Sequence, residues 1–282
     1  MNTIALTLSF LIAIGPLASA SPGQEPAVAT QELPDARGLI DNYLKITGIA
    51  EKVPAIRSMR SKGKIELSGM GISGTVETFQ ARPNRTLTIA NIEGIGKSLE
   101  GYDGQVAFAV QGMMGPMLLE GAAAAQMARG ALFDGQLYPA ELYEKMETVD
   151  QVKFEGTECW KVHLVFKPFV SDDPEVADPE KTLAIRTRYE YYAVEGGMLM
   201  GQELTQASPM GNVKATVVIS QYADQGGIKL PTKVTQKVPG VNIVITISEV
   251  AFDDVSDDEF ALPKEVKALL EKKPEPAGDG GN

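Results

Sequence analysis

The chain of 282 residues has one cysteine, Cys159, and one histidine, His163. A single cysteine cannot form an internal disulfide bond, so stability must come from packing. Zinc sites usually combine several histidine and cysteine ligands, which argues against zinc. The two residues are four positions apart on one face of a predicted strand, and about 13 Å is too far for a nucleophile and its base. We therefore interpret His163, between Lys161 and Lys167, as part of a solvated strand face.

The chain has fewer basic than acidic residues: 26 Lys and Arg against 37 Asp and Glu, which gives a formal net charge of −11. Such a surface repels nucleic acid, and its usual role is solubility. Two acidic clusters, at 172–180 and 253–259, lack the spacing of a Ca²⁺ loop and are interpreted as loop surface. The glycines from Gly69 to Gly74 join two strands, which indicates a hairpin turn instead of a phosphate site. The sequence therefore predicts no catalytic residue, no metal and no cofactor.

Long apolar runs are missing after residue 20, so no transmembrane segment is predicted in the mature form. Before that point, residues 4–17 are almost wholly apolar. A small-x-small site, Ala18-Ser19-Ala20, follows, which predicts a signal peptide at 1–20 cleaved between Ala20 and Ser21. The alternative is a retained anchor, but the run is shorter than the roughly 20 residues that span a bilayer. Position 21 is not cysteine, which argues against a lipid anchor. The expected location is periplasmic or secreted, in soluble form.

The rest of the chain is predicted to form one domain, from 35 to 270. Residues 21–34 lack periodicity and form a flexible leader, and residues 271–282 have the composition of a disordered tail. Apolar residues recur at helical spacing from Asp35 to about Ile49, with Gly48 as a stop, which predicts one amphipathic helix.

After Pro54 the apolar residues alternate with polar ones, which is typical of strands with one buried face. Trp160, Val162 and Leu164 share one face of a predicted strand, and the next strand places Tyr189 and Tyr191 on one face with Ile185. Consecutive strands with tight glycine turns indicate an antiparallel meander. Further strands are predicted at Met198 to Ala207, Asn212 to Tyr222, Pro231 to Val238 and Val241 to Phe252. The predicted fold is mostly β with some helices, built on a single large curved sheet.

One apolar face of such a sheet needs a cover, and a removable lid is one solution. The candidates are the Asp35 helix and a segment near Leu118 to Leu132. Four of the eleven methionines precede or lie in this second segment, and flexible thioethers pack well against ligands of irregular shape. The alternative is a loop and helix that pack permanently on the sheet, with methionine as core filler.

Five short strings, taken in their order and spacing, resemble the LolA-like superfamily. They are Asp41 to Gly48 (DNYLKITG), Ile56 to Gly63 (IRSMRSKG), Gly101 to Phe108 (GYDGQVAF), Gly227 to Pro231 (GIKLP) and Asp258 to Pro263 (DEFALP). This superfamily includes periplasmic outer-membrane lipoprotein-sorting proteins. The resemblance implies an incomplete barrel whose concave apolar face is closed by helices and binds acyl chains.

The resulting expectation is a non-enzymatic periplasmic protein that shelters a lipid or lipoprotein acyl chain in an apolar cavity. The alternative is an envelope sensor or interaction domain with a self-filled cavity and a protein partner. A third option, a hydrolase, has little support from the residues. The predicted lining combines one strand face with the lid, and comprises Trp160, Val162, Leu164, Tyr189, Tyr191, Met113, Met114, Met117 and Leu118.

Overall fold

The computed structural model describes residues 32–112, 114–209 and 211–272. The predicted signal peptide, its cleavage site at Ala20 and Ser21, and Met113 lie outside the described residues. So do most of the predicted leader and tail. In the described part of the chain, no helix is long and apolar enough to cross a membrane.

Thirteen strands of the described residues form one antiparallel sheet. They are β1 (Ser58–Ser68), β2 (Ile72–Ala81), β3 (Arg85–Ile92), β4 (Gly96–Tyr102), β5 (Ala107–Gln111), β6 (Gly115–Leu118), β7 (Tyr143–Phe154), β8 (Thr157–Phe166), β9 (Thr187–Ala193), β10 (Leu199–Gln206), β11 (Val213–Gln225), β12 (Ile228–Val238) and β13 (Val241–Phe252). The predicted antiparallel meander accounts for most of the neighbouring strand pairs.

The strand order is β6-β5-β4-β3-β2-β1-β13-β12-β11-β10-β9-β8-β7. Each strand pairs with its neighbours in sequence, except that β6 and β7 are not paired. The first strand pairs with the last, β1 with β13, and β6 and β7 do not pair with each other and form the two edges. The sheet is therefore an incomplete barrel, and the predicted fold class is confirmed.

Six helices accompany the sheet in the described residues: α1 (Ala36–Ile46), α2 (Ile49–Lys52), α3 (Gly121–Gly130), α4 (Pro174–Ala177), α5 (Leu183–Arg186) and α6 (Lys264–Lys272). The first begins where the sequence predicts, because the Asp35 carboxylate accepts a hydrogen bond from the Gly38 amide at 2.8 Å. It ends before Gly48, whose φ of 75° is left-handed.

The inner face of the sheet, on which α1 and α3 lie, carries apolar clusters at two places. Under α1 and α2, the fully buried Ile40 and Tyr43 share a core with Val162 and Leu164 of β8. A second cluster fills the inner face around β1 and β13: Ile65, Leu67, Val76, Ala90, Ile92, Val241, Ile243, Ile245 and Ile247. Both regions are filled by the protein's own side chains.

The C-terminal helix α6 covers the opposite, outer face of β2 to β6. Val266 of this helix and Phe260 before it are buried with Phe79, Leu87 and Phe108. These strand residues alternate with Gln80, Thr86 and Ala109, whose side chains point to the inner face. Both faces of this part of the sheet are therefore covered.

Two elements differ from the prediction. The stretch around Met117, expected to be part of a lid, is the edge strand β6, and the helix follows only at Gly121. Ile185, expected in a strand, lies in the helical turn α5, and the strand begins at Thr187.

Candidate functional site

A cavity of about 110 Å³ lies between α3 and the inner face of the sheet. Strands β2 to β6 form one wall, and β8 to β10 form the other. The lining residues are Gln80, Thr86, Glu100, Ala109, Gln111, Met117, Leu119, Ala123, Gln126, Met127, Arg129, Gly130, Phe166, Ile185, Thr187, Arg188, Gln202, Leu204, Gln206, Ala207 and Pro209.

The roof of the cavity, α3, is held by a few polar contacts and is nowhere fully buried. All ten of its residues are described, and each is half-buried. The Gln126 amide donates to the carbonyls of Ile185 at 3.1 Å and Thr205 at 2.8 Å, and its oxygen accepts from the Ala207 amide at 2.8 Å. Gln126 therefore fastens the helix to the end of β10.

The cavity is lined by amide side chains as well as by apolar ones, which differs from the predicted apolar hollow. Gln202 and Gln206 on β10 are each only 7% exposed, and Gln236 on β12 is 2% exposed. The Gln236 amide donates to the Gln206 oxygen at 3.1 Å. The side-chain oxygens of Gln202 and Gln236 are buried and have no hydrogen-bond partner in the described residues.

Two arginines meet at one end of the cavity around the ring of Phe166. The guanidinium carbon of Arg129 lies 5.0 Å from this ring centroid, and that of Arg188 lies 4.8 Å from it. Burial, and then the positive charge of Arg186, lower the pKa of Arg129 to about 10. The Arg129 Nη2 donates to the Lys167 carbonyl at 2.7 Å, while its Nη1 is buried with no hydrogen-bond partner among the described residues.

A buried charged network separates the cavity from the core under α1. The Nε of Arg188 lies 3.0 Å from a carboxylate oxygen of the fully buried Glu190. The hydroxyl of Tyr192 donates to this carboxylate at 2.6 Å, and that of Tyr138 lies 3.0 Å from both oxygens. Burial disfavours the charge of Arg188, but Glu190 and Tyr143 raise its pKa above the usual value. The sequence pattern does not indicate this network, because alternating charges in a strand usually indicate a solvated face.

Of the three described residues predicted to form the lid side of the site, one lines the cavity. Met117 points into it from β6. Leu118, the next residue, therefore points to the outer face and packs with the cluster under α6. Met114 is 48% exposed in the turn before β6.

The strand residues predicted to share one lining are divided between the two faces. Val162 and Leu164 lie on the inner face but are fully buried under α1, outside the cavity. Trp160 is half-buried on the same face as these two residues. Tyr189 and Tyr191 are opposite His163 and Lys161 in the register of β8 and β9, which places them on the outer face.

The prediction that Tyr189 and Tyr191 share the lining face with Val162 and Leu164 is therefore wrong. Their side chains point to the opposite face of the sheet. On the outer face, the Tyr191 ring stacks on Phe154 with centroids 4.0 Å apart, and Tyr189 stacks on His163 at 4.8 Å. The Lys161 ammonium lies 4.4 Å from the Tyr189 ring centroid. These contacts form an aromatic cluster on the side of the sheet away from the cavity.

The two residues considered for nucleophilic chemistry also lie on the outer face. Cys159 is fully buried, and burial raises the pKa of its thiol to about 11. Burial lowers the pKa of His163, whose ring stacks on Tyr189. Among the described residues, no group of three or more His, Cys, Asp or Glu side chains is placed to hold a metal ion.

Comparison with solved structures identifies the fold. A DUF1329 family protein from Desulfovibrio piger matches with a TM-score of 0.52 at 12% identity, over 80% of this chain and 97% of that one. A LolA superfamily protein from Nitrosomonas europaea matches with a TM-score of 0.50 at 11% identity, over 81% and 98%. An outer membrane lipoprotein-sorting protein domain from Vibrio parahaemolyticus matches with a TM-score of 0.50 at 9% identity, over 84% and 100%.

No protein-family model and no curated protein matches the sequence of the chain. The three structural matches each cover nearly the whole of the solved chain. The protein therefore has a LolA-like fold, as the sequence resemblance predicts.

Proposed function

We propose that the protein is a non-enzymatic periplasmic binding protein that holds the acyl chain of a lipid or lipoprotein between α3 and the inner face of its sheet. The observation that carries this proposal is the cavity of about 110 Å³ beneath a helix that is nowhere fully buried. The fold shared with a domain described as outer membrane lipoprotein-sorting supports the same class of ligand.

At about 110 Å³ the cavity is smaller than a ligand site for an acyl chain, so α3 must move when the ligand enters. Sites for drug-sized ligands have volumes of about 300–1,000 Å³. Each buried CH₂ contributes about 0.8 kcal/mol, which gives a longer chain enough binding energy to displace a weakly packed helix. Opening would break the three hydrogen bonds of Gln126 and the one from Arg129 to the Lys167 carbonyl.

The absence of enzymatic activity is supported by the positions of the reactive side chains. Cys159 is buried, and His163 lies on the face of the sheet away from the cavity. A ligand under α3 therefore meets neither of them.

An interaction domain with an envelope protein as partner is the second candidate. It is favoured by the self-filled interior, since both apolar clusters of the inner face are packed by the protein's own side chains. In this case α3 stays in place, and purified protein contains no lipid.

The two candidate functions can be distinguished by a substitution on α3 whose side chain fills the cavity. Ala123 lines the cavity, whereas Ala128 on the same helix lies neither on the cavity nor in the cluster that Ala122 and Ala125 join. We expect Ala123→Phe to weaken binding of a dansyl-labelled fatty acid at least tenfold and Ala128→Phe to change it less than twofold. Equal binding by both variants, or no binding by the natural protein, would refute acyl binding under α3.

The location has its own test, which does not depend on the ligand. When the full chain is expressed in a Gram-negative host, we expect it in the periplasmic fraction with an intact mass that begins at Ser21. An N-terminus at Met1 would contradict the predicted cleavage after Ala20.

A further inference from the structure

The wall of the cavity contains a buried amide group, that of Gln202, whose oxygen has no hydrogen-bond partner in the described residues. The side-chain oxygens of Gln202 and Gln236 are buried and lack a hydrogen-bond partner among the described residues. Gln202 lines the cavity directly, and Gln236 is joined to it through Gln206, which also lines the cavity. A hydrocarbon chain alone would leave the Gln202 oxygen unpaired.

Unpaired buried polar groups are rare in folded proteins, because desolvating them without a new hydrogen bond is unfavourable. Each one therefore requires an explanation, and groups that line a cavity are available to a ligand. An amide oxygen accepts hydrogen bonds, so its ligand partner must be a donor such as a hydroxyl. Gln80 and Gln111 line the same cavity from the opposite wall and add further hydrogen-bonding groups.

The lining also includes apolar residues and an arginine, so the site combines three kinds of chemical group. Flexible or branched apolar surface comes from Met117 of β6, from Leu119, which follows β6, and from Met127 of α3. At the other end, the buried Nη1 of Arg129 has no hydrogen-bond partner in the described residues and can donate to an ester carbonyl. A ligand with a hydroxyl, an ester carbonyl and a hydrocarbon tail would pair with all three features.

We propose that the cavity recognises the hydroxyl-bearing head of an acylated ligand, with Gln202 as the residue that distinguishes such a head from plain hydrocarbon. This inference rests on the proposed function and names the ligand class of the same site. The acyl tail then lies along the methionines and emerges where α3 is displaced. The protein selects acylglycerol-like ligands over apolar esters of the same chain length.

The test compares two probes with the same acyl ester, 1-monooctanoylglycerol and methyl octanoate, of which only the first carries hydroxyls. Calorimetric titration of the full mature chain should give a dissociation constant at least about tenfold lower for the glycerol ester, because a hydrogen-bonding site rejects an analogue that lacks the group. Gln202→Met, which keeps the side-chain length, should weaken the glycerol ester about tenfold and change the methyl ester less than twofold.

The matched control is Gln221→Met, since Gln221 is exposed on the neighbouring strand β11. It should leave both dissociation constants unchanged. If Gln202→Met does not fold by circular dichroism, Gln206→Met takes its place, and the comparison of the two probes on the natural protein stands by itself.

Each outcome separates this inference from the proposed function. If both esters bind with equal affinity, or if Gln202→Met weakens both equally, the head-group inference is overturned and acyl binding stands. If neither ester binds, acyl binding under α3 fails, and the head-group inference fails with it.

Discussion

The Glu190 carboxylate is fully buried and is paired with an arginine and two tyrosine hydroxyls. Arg188 pairs with it at 3.0 Å, and the hydroxyls of Tyr138 and Tyr192 are within 3.0 Å of its oxygens. Removing one member of a buried ion pair is strongly destabilising, because the remaining charge is buried without a counter-charge. The network also fixes the orientation of Arg188, whose side chain forms part of the cavity wall.

We therefore predict that Glu190→Ala lowers the free energy of unfolding by about 3–5 kcal/mol, because it leaves the Arg188 charge uncompensated. Urea denaturation measures this loss. The control is Glu147→Ala, which removes a half-exposed carboxylate 2.9 Å from Lys145 and should cost about 0–1 kcal/mol. Losses of similar size in the two variants would show that the network contributes little.

The same residues explain why side-chain placement was only partly predictable. Alternation in β9 separates Arg188 and Glu190 from Tyr189 and Tyr191, and the usual rule assigns charged residues to solvent. Here the rule is reversed, because the two charges neutralise each other and the tyrosines that surround them supply hydrogen bonds. A single sequence gives the alternation within a strand, but it does not give the partners that make a buried charge acceptable.

At the scale of elements, the end of α1 is fitted closely against the turn between β11 and β12. A Cβ added at Gly48 would lie 2.4 Å from the Gly227 carbonyl oxygen, and φ at this position is 75°. The Lys229 amide donates to the Thr47 carbonyl at 2.8 Å, which joins the same two segments. The helix is therefore held on the sheet at its C-terminal end.

We predict that Gly48→Ala destabilises the protein more than Gly69→Ala does. Both positions have a positive φ, but nothing lies within 4 Å of a Cβ at Gly69. The backbone strain of about 1–2 kcal/mol is common to both variants, whereas the clash at Gly48 adds about 1–3 kcal/mol. Chemical denaturation of the two variants gives the difference directly. Equal stabilities would mean that the turn at Gly227 moves freely.

The roof helix α3 depends on one side chain for most of its polar anchoring. We predict that Gln126→Leu increases amide hydrogen exchange across 121–130, because three hydrogen bonds to the end of β10 and to α5 are lost. The midpoint of global unfolding should change little, since no residue of α3 is fully buried. Gln221→Leu, on the exposed part of β11, is the control. Unchanged exchange in α3 would show that Gln126 does not hold the roof.

The roof also shows where element prediction from the sequence reaches its limit. The segment near Leu118 to Leu132 is a helical candidate from the sequence, and α3 lies within it. The methionines before it are expected to move with the helix, but Met117 lies in β6, which pairs with β5. Short apolar runs fit a strand or a buried helix segment equally well, so only the neighbouring strand decides between them.

At the scale of the whole molecule, the incomplete barrel has two sheet edges that no other described strand pairs with. The alternation of residues and the glycine turns predict the antiparallel meander, but they do not show that β1 pairs with β13 or that β6 and β7 stay apart. Unpaired edges are templates for pairing with another chain, and proteins protect them with charges, proline, bulges or short strands. β6 has four residues and contains Pro116, whereas β7 has twelve residues.

The long edge β7 carries the protections that its length requires. Its ladder with β8 has register shifts between Tyr143 and Lys145 and between Thr148 and Asp150. Lys145 and Lys153 are exposed on it. Charged side chains on an edge strand disfavour pairing with a second strand, because pairing would remove water from the charges.

We predict that the double variant Lys145→Val and Lys153→Val self-associates, since two β-branched residues then replace the charges on an unpaired edge. Size-exclusion chromatography with light scattering would detect oligomers that increase with concentration. The control pair, Lys64→Val and Lys214→Val, removes the same charge from exposed positions on β1 and β11, which are paired on both sides. Association of the edge variant alone would assign the effect to the open edge, whereas equal association of both pairs would assign it to added surface hydrophobicity and refute protection by the lysines of β7.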